Sequence, residues 1–414
     1  MKLRLLWSLM VCMERTYTLE KSAFPEFFES LKEFGNVFAP VRVSDQSFAF
    51  RKVERVNEIA FDALRTILPP KKFFYPQEEV LMKWNEGEFK EHHDEPGFQV
   101  IFGVHPCDLA GLGVLDTIYS EDPADSHYVQ RRKKSLIVGL SCMPDKHCFC
   151  KSMGTECPSA GYDLFLTDIG DSYFIETRTA AGREAILSVL HKLEHCKDKA
   201  ALLKCRAADT VERQAYKEFW SKRDEAFTNG FAPDNLQSVM EMEWDNPVWK
   251  ELGERCLSCG NCTPVCPTCY CFDLLDIASL NGKEGERRRQ WDSCQFVGFA
   301  QVAGDFNFRP TPVDRLKFWY RHKLHGFDDP YGFRTCVGCG RCTVSCPAGI
   351  DDLVQVVKVL QGKKPGYVSI SALGECSSPG LSAESEIVNP ECGAPGIAGV
   401  PPASSKAAKE EDPK

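Results

Sequence analysis

Eight cysteines stand in two matching runs. Cys256, Cys259, Cys262 and Cys266 precede Pro267, and Cys336, Cys339, Cys342 and Cys346 precede Pro347. Each run reads C-x2-C-x2-C-x3-C-P, the ligand spacing of a cuboidal [4Fe–4S] cluster. Three thiolates on a tight, Gly-containing loop cap three corners of such a cluster. The cysteine before proline reaches a fourth corner, and where two clusters are present it belongs to the other one. The spacing therefore predicts two [4Fe–4S] clusters, one on Cys256, Cys259, Cys262 and Cys346, the other on Cys336, Cys339, Cys342 and Cys266. The runs CLSCGNCTPVCP and CVGCGRCTVSCP also share Gly260/Gly340 and Thr263/Thr343, an internal repeat for which a pseudo-twofold arrangement is natural. Zinc is the competing reading of paired C-x2-C units. Zinc wants two well-separated pairs, whereas each run here already brings four closely spaced thiols and a terminal Cys-Pro.

Other cysteines are harder to place. Cys107, Cys142, Cys148, Cys150 and Cys157 form a second group earlier in the chain. Cys107 and Cys142 each follow an apolar strand-like run, so parallel neighbours would bring them to one sheet edge. A third metal site there competes with ordinary burial of small thiols, because C-x-C is not a standard cluster spacing. Cys269, Cys271 and Cys294 lie near the two runs, where packing and weak S–H hydrogen bonds that tune cluster potential are the simpler expectation. Arg287-Arg288-Arg289 and Lys317–Lys323 put positive charge between the runs, as a solvated face or as a field that steers an acidic partner. His191 and His195 are four apart without the H-E-x-x-H pattern, which favours a solvated helix face. No G-x-G-x-x-G after a strand, P-loop or nucleophile elbow is present.

Composition narrows the class. The 414 residues leave room for two or three domains and are 43% hydrophobic, enough for a sizeable core. A net charge of −9 argues against nucleic acid or an anionic membrane as the main partner. Twenty-one cysteines in a chain this long, with cluster motifs, indicate a reducing compartment and not a disulfide scaffold, so a cytoplasmic protein of an anaerobe is expected. The apolar run Leu5–Met13 faintly resembles a signal peptide, but it is short, lacks a cleavage site and cannot span a bilayer. An over-called start, with Met13 as the true one, or a small buried strand is the expected explanation, and no direct membrane insertion is expected.

The elements that would position these groups can be read next. Residues 14–235 read as an α/β domain, with a mixed sheet covered by helices. Phe38–Val43 and Ser47–Val53 alternate as a hairpin, and Val56–Ile67 has helical spacing up to Pro69-Pro70. Gln99–Val104 and Ser135–Leu140 are apolar runs expected of buried strands, with a helix over Asp108–Tyr119 between them. Leu164–Thr167 and Tyr173–Glu176 suggest a further hairpin, followed by helices over Gly182–Leu193 and Val211–Thr228. Residues 236–362 read as a mainly α-helical, ferredoxin-type domain, with helical sequence over Met240–Leu252 and after each cysteine run. Residues 366–414, holding Cys376 and Cys392, are Gly/Pro/Ala/Ser-rich and predict a disordered tail without ligands.

With these motifs in view, the chain from about residue 15 to 362 resembles the iron–sulfur β subunit of cytoplasmic sulfhydrogenases and the corresponding iron–sulfur subunit of the anaerobic sulfite reductase. Related subunits accompany heterodisulfide reductases. The likeness rests on His105-Pro106-Cys107-Asp108-Leu109-Ala110, Ile137-Val138-Gly139 leading to Cys142, Cys148-Phe149-Cys150 with Ser152-Met153-Gly154, Tyr162-Asp163-Leu164, Cys266-Pro267-Thr268-Cys269 and Trp291-Asp292-Ser293-Cys294. It implies an electron-transfer subunit that relays single electrons through its clusters. The implied partners are a flavin subunit handling NAD(P)H and a terminal hydrogenase or reductase subunit, with residues 14–235 as the docking platform. On that reading no bond is made or broken on this chain. A catalytic reductase subunit, with a third metal site at Cys107, Cys142, Cys148 and Cys150, is the alternative, and a scaffold whose clusters only hold the fold is another.

Overall fold

Apolar runs buried on both faces build the centre of the larger of two sheets in the computed structural model, which describes residues 16–93, 97–194, 204–326, 331–350 and 352–362. Its strands are β1 (Thr16–Glu20), β2 (Asn36–Ser44), β3 (Ser47–Lys52), β6 (Gln99–Val104), β7 (Ser135–Leu140), β8 (Leu164–Asp168), β9 (Ser172–Thr177) and β10 (Cys205–Ala207), in spatial order β10-β1-β9-β8-β7-β6-β2-β3. The central four, β2, β6, β7 and β8, run parallel, and the outer pairs are antiparallel. Successive side chains on a strand point to opposite faces. Val100, Phe102, Leu136, Val138, Leu164 and Leu166 accordingly join one core with helices α1 (Phe24–Leu31) and α5 (Ala180–Glu194). Ile101, Ile137 and Phe165, with Val104 brought to the same face by the register shift at Gly103, join another with α2 (Pro106–Ser120) and α6 (Thr210–Glu225). Asp209 begins α6 with a capping box to Glu212. Two short helices complete this half, α3 (Ser126–Lys133) and α4 (Cys150–Met153).

The second half is mainly helical around the cysteine runs. It contains α7 (Leu236–Met242), α8 (Val248–Arg255), α9 (Pro312–Leu324), α10 (Arg341–Ser345) and α11 (Leu353–Leu360), packed on a core that includes Trp249, Trp319, Tyr320 and Val357. The helical stretch expected over Met240–Leu252 is thus two helices, separated around Asn246-Pro247, where proline removes a backbone donor.

Two expectations are corrected. Val56–Ile67 forms only a single 3-10 turn, Val56–Glu58, before an irregular course. The amides of Ala60 and Ile67 bond to Pro40 O and Phe48 O, each at 2.8 Å, so sheet-edge hydrogen bonds replace helical ones. The sequence after the first cysteine run is not helical either. It forms a hairpin, β11 (Phe272–Ala278) and β12 (Glu284–Trp291), turning at Asn281-Gly282 with Gly282 at φ +69°. β12 pairs with β4 (Glu78–Asn85), which pairs with β5 (Glu88–Glu91), giving a second sheet in the order β11-β12-β4-β5. Backbone from residues 78–91 and 272–291 therefore shares one ladder. The apolar run Leu5–Met13 and the tail 366–414 lie outside the described residues. No helix among the described residues is long and apolar enough to cross a membrane.

A double cysteine centre

The first run leaves α8 at Cys256, which caps that helix. Ser258 and Gly260 then adopt positive φ, +49° and +78°, and curl the loop so that the Ser258 N–H points at Cys256 Sγ at 3.4 Å. Gly260 is required by contact as well as by conformation, since a Cβ there would fall 2.7 Å from the Phe296 ring. Thr263, which is buried, closes the turn by donating to Gly260 O at 2.7 Å. The second run repeats the design with Gly338 and Gly340 at φ +63° and +72°.

Two cavities result. One is lined by Cys256, Cys259, Cys262 and, from the other run, Cys346, with Gln295, Leu316 and Ile350. The other is lined by Cys336, Cys339, Cys342 and, from the first run, Cys266, with Trp319, Lys323 and Phe149. The partition of thiols is three plus one in each direction, the same as in the exchange expected from Cys266-Pro267 and Cys346-Pro347. Soft sulfur donors on glycine-bent loops, with few competing polar groups, fit an iron–sulfur group in both cavities.

The second cavity carries buried positive charge. Lys323, 2% exposed, donates to Thr268 Oγ1 at 2.9 Å, and that oxygen is 3.2 Å from Cys266 Sγ. Burial alone would raise the Cys266 thiol, but Lys323, with Lys71 and the Thr268 hydroxyl, brings it below its ordinary value. The Cys336 thiol, where burial dominates, is pushed up to about 12. Lys71, equally buried, donates to Cys269 O at 2.8 Å and lies 4.3 Å from the Trp291 ring centre. Arg341, between Cys339 and Cys342, makes a buried two-pronged bond to Asp108 at 2.5 and 2.8 Å and a third to Thr66 O. Arg65 donates to Cys339 O at 2.7 Å and to both oxygens of Asp145. The irregular course of residues 59–67 is what brings Arg65 there.

The remaining cysteines divide. Cys148 and Cys150 are buried together, with Cys107 packed beside them, while Cys157 packs against the core shared with α2 and α6. Cys271 is in hydrogen-bonding contact with both Cys269 and Cys294. The arginine triplet is not a free positive field. Arg287 pairs with Asp276, Arg288 with Glu78 and Glu286, and the buried Arg289 with Glu79 and Asp125. Lys317 pairs with Asp245. Each arginine of the triplet is therefore answered by a carboxylate, and the triplet brings little net charge to the steering role expected of it. His191 is on the last turn of α5, and His195 lies outside the described residues. Sequence reasoning missed Arg65, Lys71 and Arg223 as neighbours of the thiols, because the folding of distant segments brings them in. Arg341 was open to notice, since it stands inside the second run.

Residues 255–350 match the family model described as a 4Fe-4S dicluster domain. The chain is similar to the Sulfhydrogenase 2 subunit beta of Pyrococcus furiosus, 39% identical over 354 residues, which covers 86% of this chain and all of that protein. No solved structure matches.

Proposed function

The chain belongs to the iron–sulfur β subunits of the sulfhydrogenases, and from that premise we propose that it relays single electrons through two [4Fe–4S] clusters, between a flavin subunit handling NAD(P)H and a terminal hydrogenase or reductase subunit. That it is an iron–sulfur electron-transfer protein follows from the family. The number of clusters, their ligands and the partners are our reading. The observation that carries it is the exchange of the fourth thiol, which lines each cavity with three cysteines of one run and one of the other.

Bound there, iron–sulfur clusters supply reversible one-electron chemistry. Cys256, Cys259, Cys262 and Cys346 hold one, and Cys336, Cys339, Cys342 and Cys266 the other. The chain sets the working conditions of each. Lys323 lines the second cavity and brings it positive charge, which favours electron gain there. The first cavity is apolar and opens outward. Cys259 is exposed, and Leu257, Phe296 and Val297 beside it are 66%, 44% and 58% exposed. A partner docking on these side chains gains apolar contact at the edge where electrons pass. On this reading residues 236–362 carry the clusters, residues 14–235 form the docking platform, and the complex works in the cytoplasm.

Anaerobically prepared protein tests the reading. Reduction is expected to give low-temperature paramagnetic signals from two interacting [4Fe–4S] centres, and affinity purification from the native cell is expected to bring down flavin and hydrogenase or reductase subunits. Zinc in place of iron, with no signal after reduction, would overturn the relay.

A further inference from the structure

Cys107, Cys142, Cys148 and Cys150 gather where the carboxyl ends of two parallel strands meet the second cysteine run. Cys107 lies in the first turn of α2, just past β6, and Cys142 lies just past β7. β6 and β7 are paired neighbours, and strand ends of this kind are where open α/β sheets hold ligands. The loop bearing Cys148 and Cys150 lies backbone to backbone on the run. The Phe149 N–H donates to Gly338 O at 2.9 Å, and a Cβ on Gly338 would fall 2.5 Å from Cys150 Cα. Cys107, Cys142 and Cys148 are all within electrostatic reach of the Cys150 thiol, and Cys339 is within reach of Cys107.

Arg223 gives the second, independent observation. It is 1% exposed, and no carboxylate among the described residues lies within ion-pair distance of it. Its Nη2 is 3.8 Å from Cys142 Sγ and 3.9 Å from Cys150 Sγ, its Nε donates to Cys142 O, and its Nη1 is buried without a partner. A second guanidinium, that of Arg65, reaches Cys148 Sγ at 3.0 Å. Two guanidinium groups therefore point at the thiols, with the carboxylate of Glu156 acting on Arg223 only from beyond ion-pair distance. A group of largely buried thiols with guanidinium donors aimed at its sulfurs suits an anionic metal–thiolate centre.

The spread of the sulfurs selects the kind of metal centre. A single tetrahedral ion, with metal–sulfur bonds of about 2.3 Å, draws its ligand sulfurs to within roughly 4 Å of one another. Among the described residues, the one group of three or more His, Cys, Asp and Glu whose ligand atoms all lie within 4.8 Å is Glu91, His93 and His127. The four thiols are therefore spread more widely than a lone ion allows, as are the eight in the two cavities. We propose that Cys107, Cys142, Cys148 and Cys150 hold a third iron–sulfur cluster of the cuboidal class, beside Cys339. An electron given up by the centre at Cys339 is the one gained here, so the exchange balances without another reactant.

The test is iron and acid-labile sulfide analysis, with Mössbauer spectra, on the full-length protein reconstituted and desalted under anaerobic conditions. Wild type is expected to hold about twelve irons per chain, and Cys148→Ser/Cys150→Ser about eight, with the signals of the other two clusters kept. A wild-type content of about eight overturns the third cluster while leaving the two-cluster reading standing, and this decides the matter even if the double variant fails to fold. Iron near zero, with zinc present, overturns both. A folded double variant with unchanged iron also overturns the proposal.

Discussion

Lys323 is the side chain on which the second cavity's charge most depends. Burial works against its ammonium group, yet Cys266 and Cys269 hold it protonated well above the ordinary lysine range. Removing that charge disfavours an added electron nearby. Lys323→Met is expected to lower the midpoint potential of one centre by tens of millivolts, and Lys323→Arg to restore part of it, as followed by a redox titration with paramagnetic detection. Asp108 has a different role: it neutralises Arg341 at full burial. Breaking a buried pair from one side costs about 3–5 kcal/mol, so Asp108→Asn should lower the denaturant midpoint sharply. His322 gives a pH dependence. Burial, reinforced by Lys323, lowers its pKa from 6.5 to about 3. The unfolded chain binds this proton below pH 6.5 while the folded chain refuses it down to about pH 3, so stability falls as pH drops through that window. At pH 5 the loss is on the order of 1–2 kcal/mol relative to pH 8. His322→Phe, which keeps a ring against Phe318, should flatten this slope in urea unfolding.

Among the elements, the contact between the loop 147–150 and the second cysteine run is the least tolerant. A Cβ on Gly340 would lie 2.3 Å from His147 O, and one on Gly338 2.5 Å from Cys150 N, both at positive φ. Gly338→Ala and Gly340→Ala are each expected to cost several kcal/mol and to lower retained iron, measured by thermal unfolding and metal analysis. The central strands were legible because their residues are apolar on both faces, and Ser135–Leu140 is found where its sequence places it. The eight cysteines could be singled out because covalent ligand chemistry dictates their spacing. The hairpin after the first run was not read, although Asn281-Gly282 is a turn signal. Its strand FDLLDIA lacks clean alternation, and GERRRQW is polar enough to pass for a helix face. What decides its form is β4, about two hundred residues earlier in the chain. Val56–Ile67 failed for a related reason, since helical periodicity says nothing of the sheet edge that claims its amides.

At the scale of the molecule, the pairing of β12 with β4 joins the segment of the cysteine runs to the first half of the chain through main-chain hydrogen bonds. Buried Arg289–Glu79 and Arg341–Asp108 pairs add to that joint. A fragment of residues 236–362 made alone leaves β12 without its neighbour and Arg289 and Arg341 without their carboxylates. It is expected to be insoluble or to hold little iron, whereas co-expression with residues 14–235 should recover both, as judged by gel filtration and iron content.

Shared ladder bonds between Glu78–Asn85 and Glu284–Gln290 also bear on inheritance. Genes built from interchangeable cassettes recombine at seams that few contacts cross. Here a crossover near residue 235 would hand the offspring a β4 and a β12 that had never been selected together. The portion that holds the cysteine runs is therefore expected to be inherited together with the strand it pairs with.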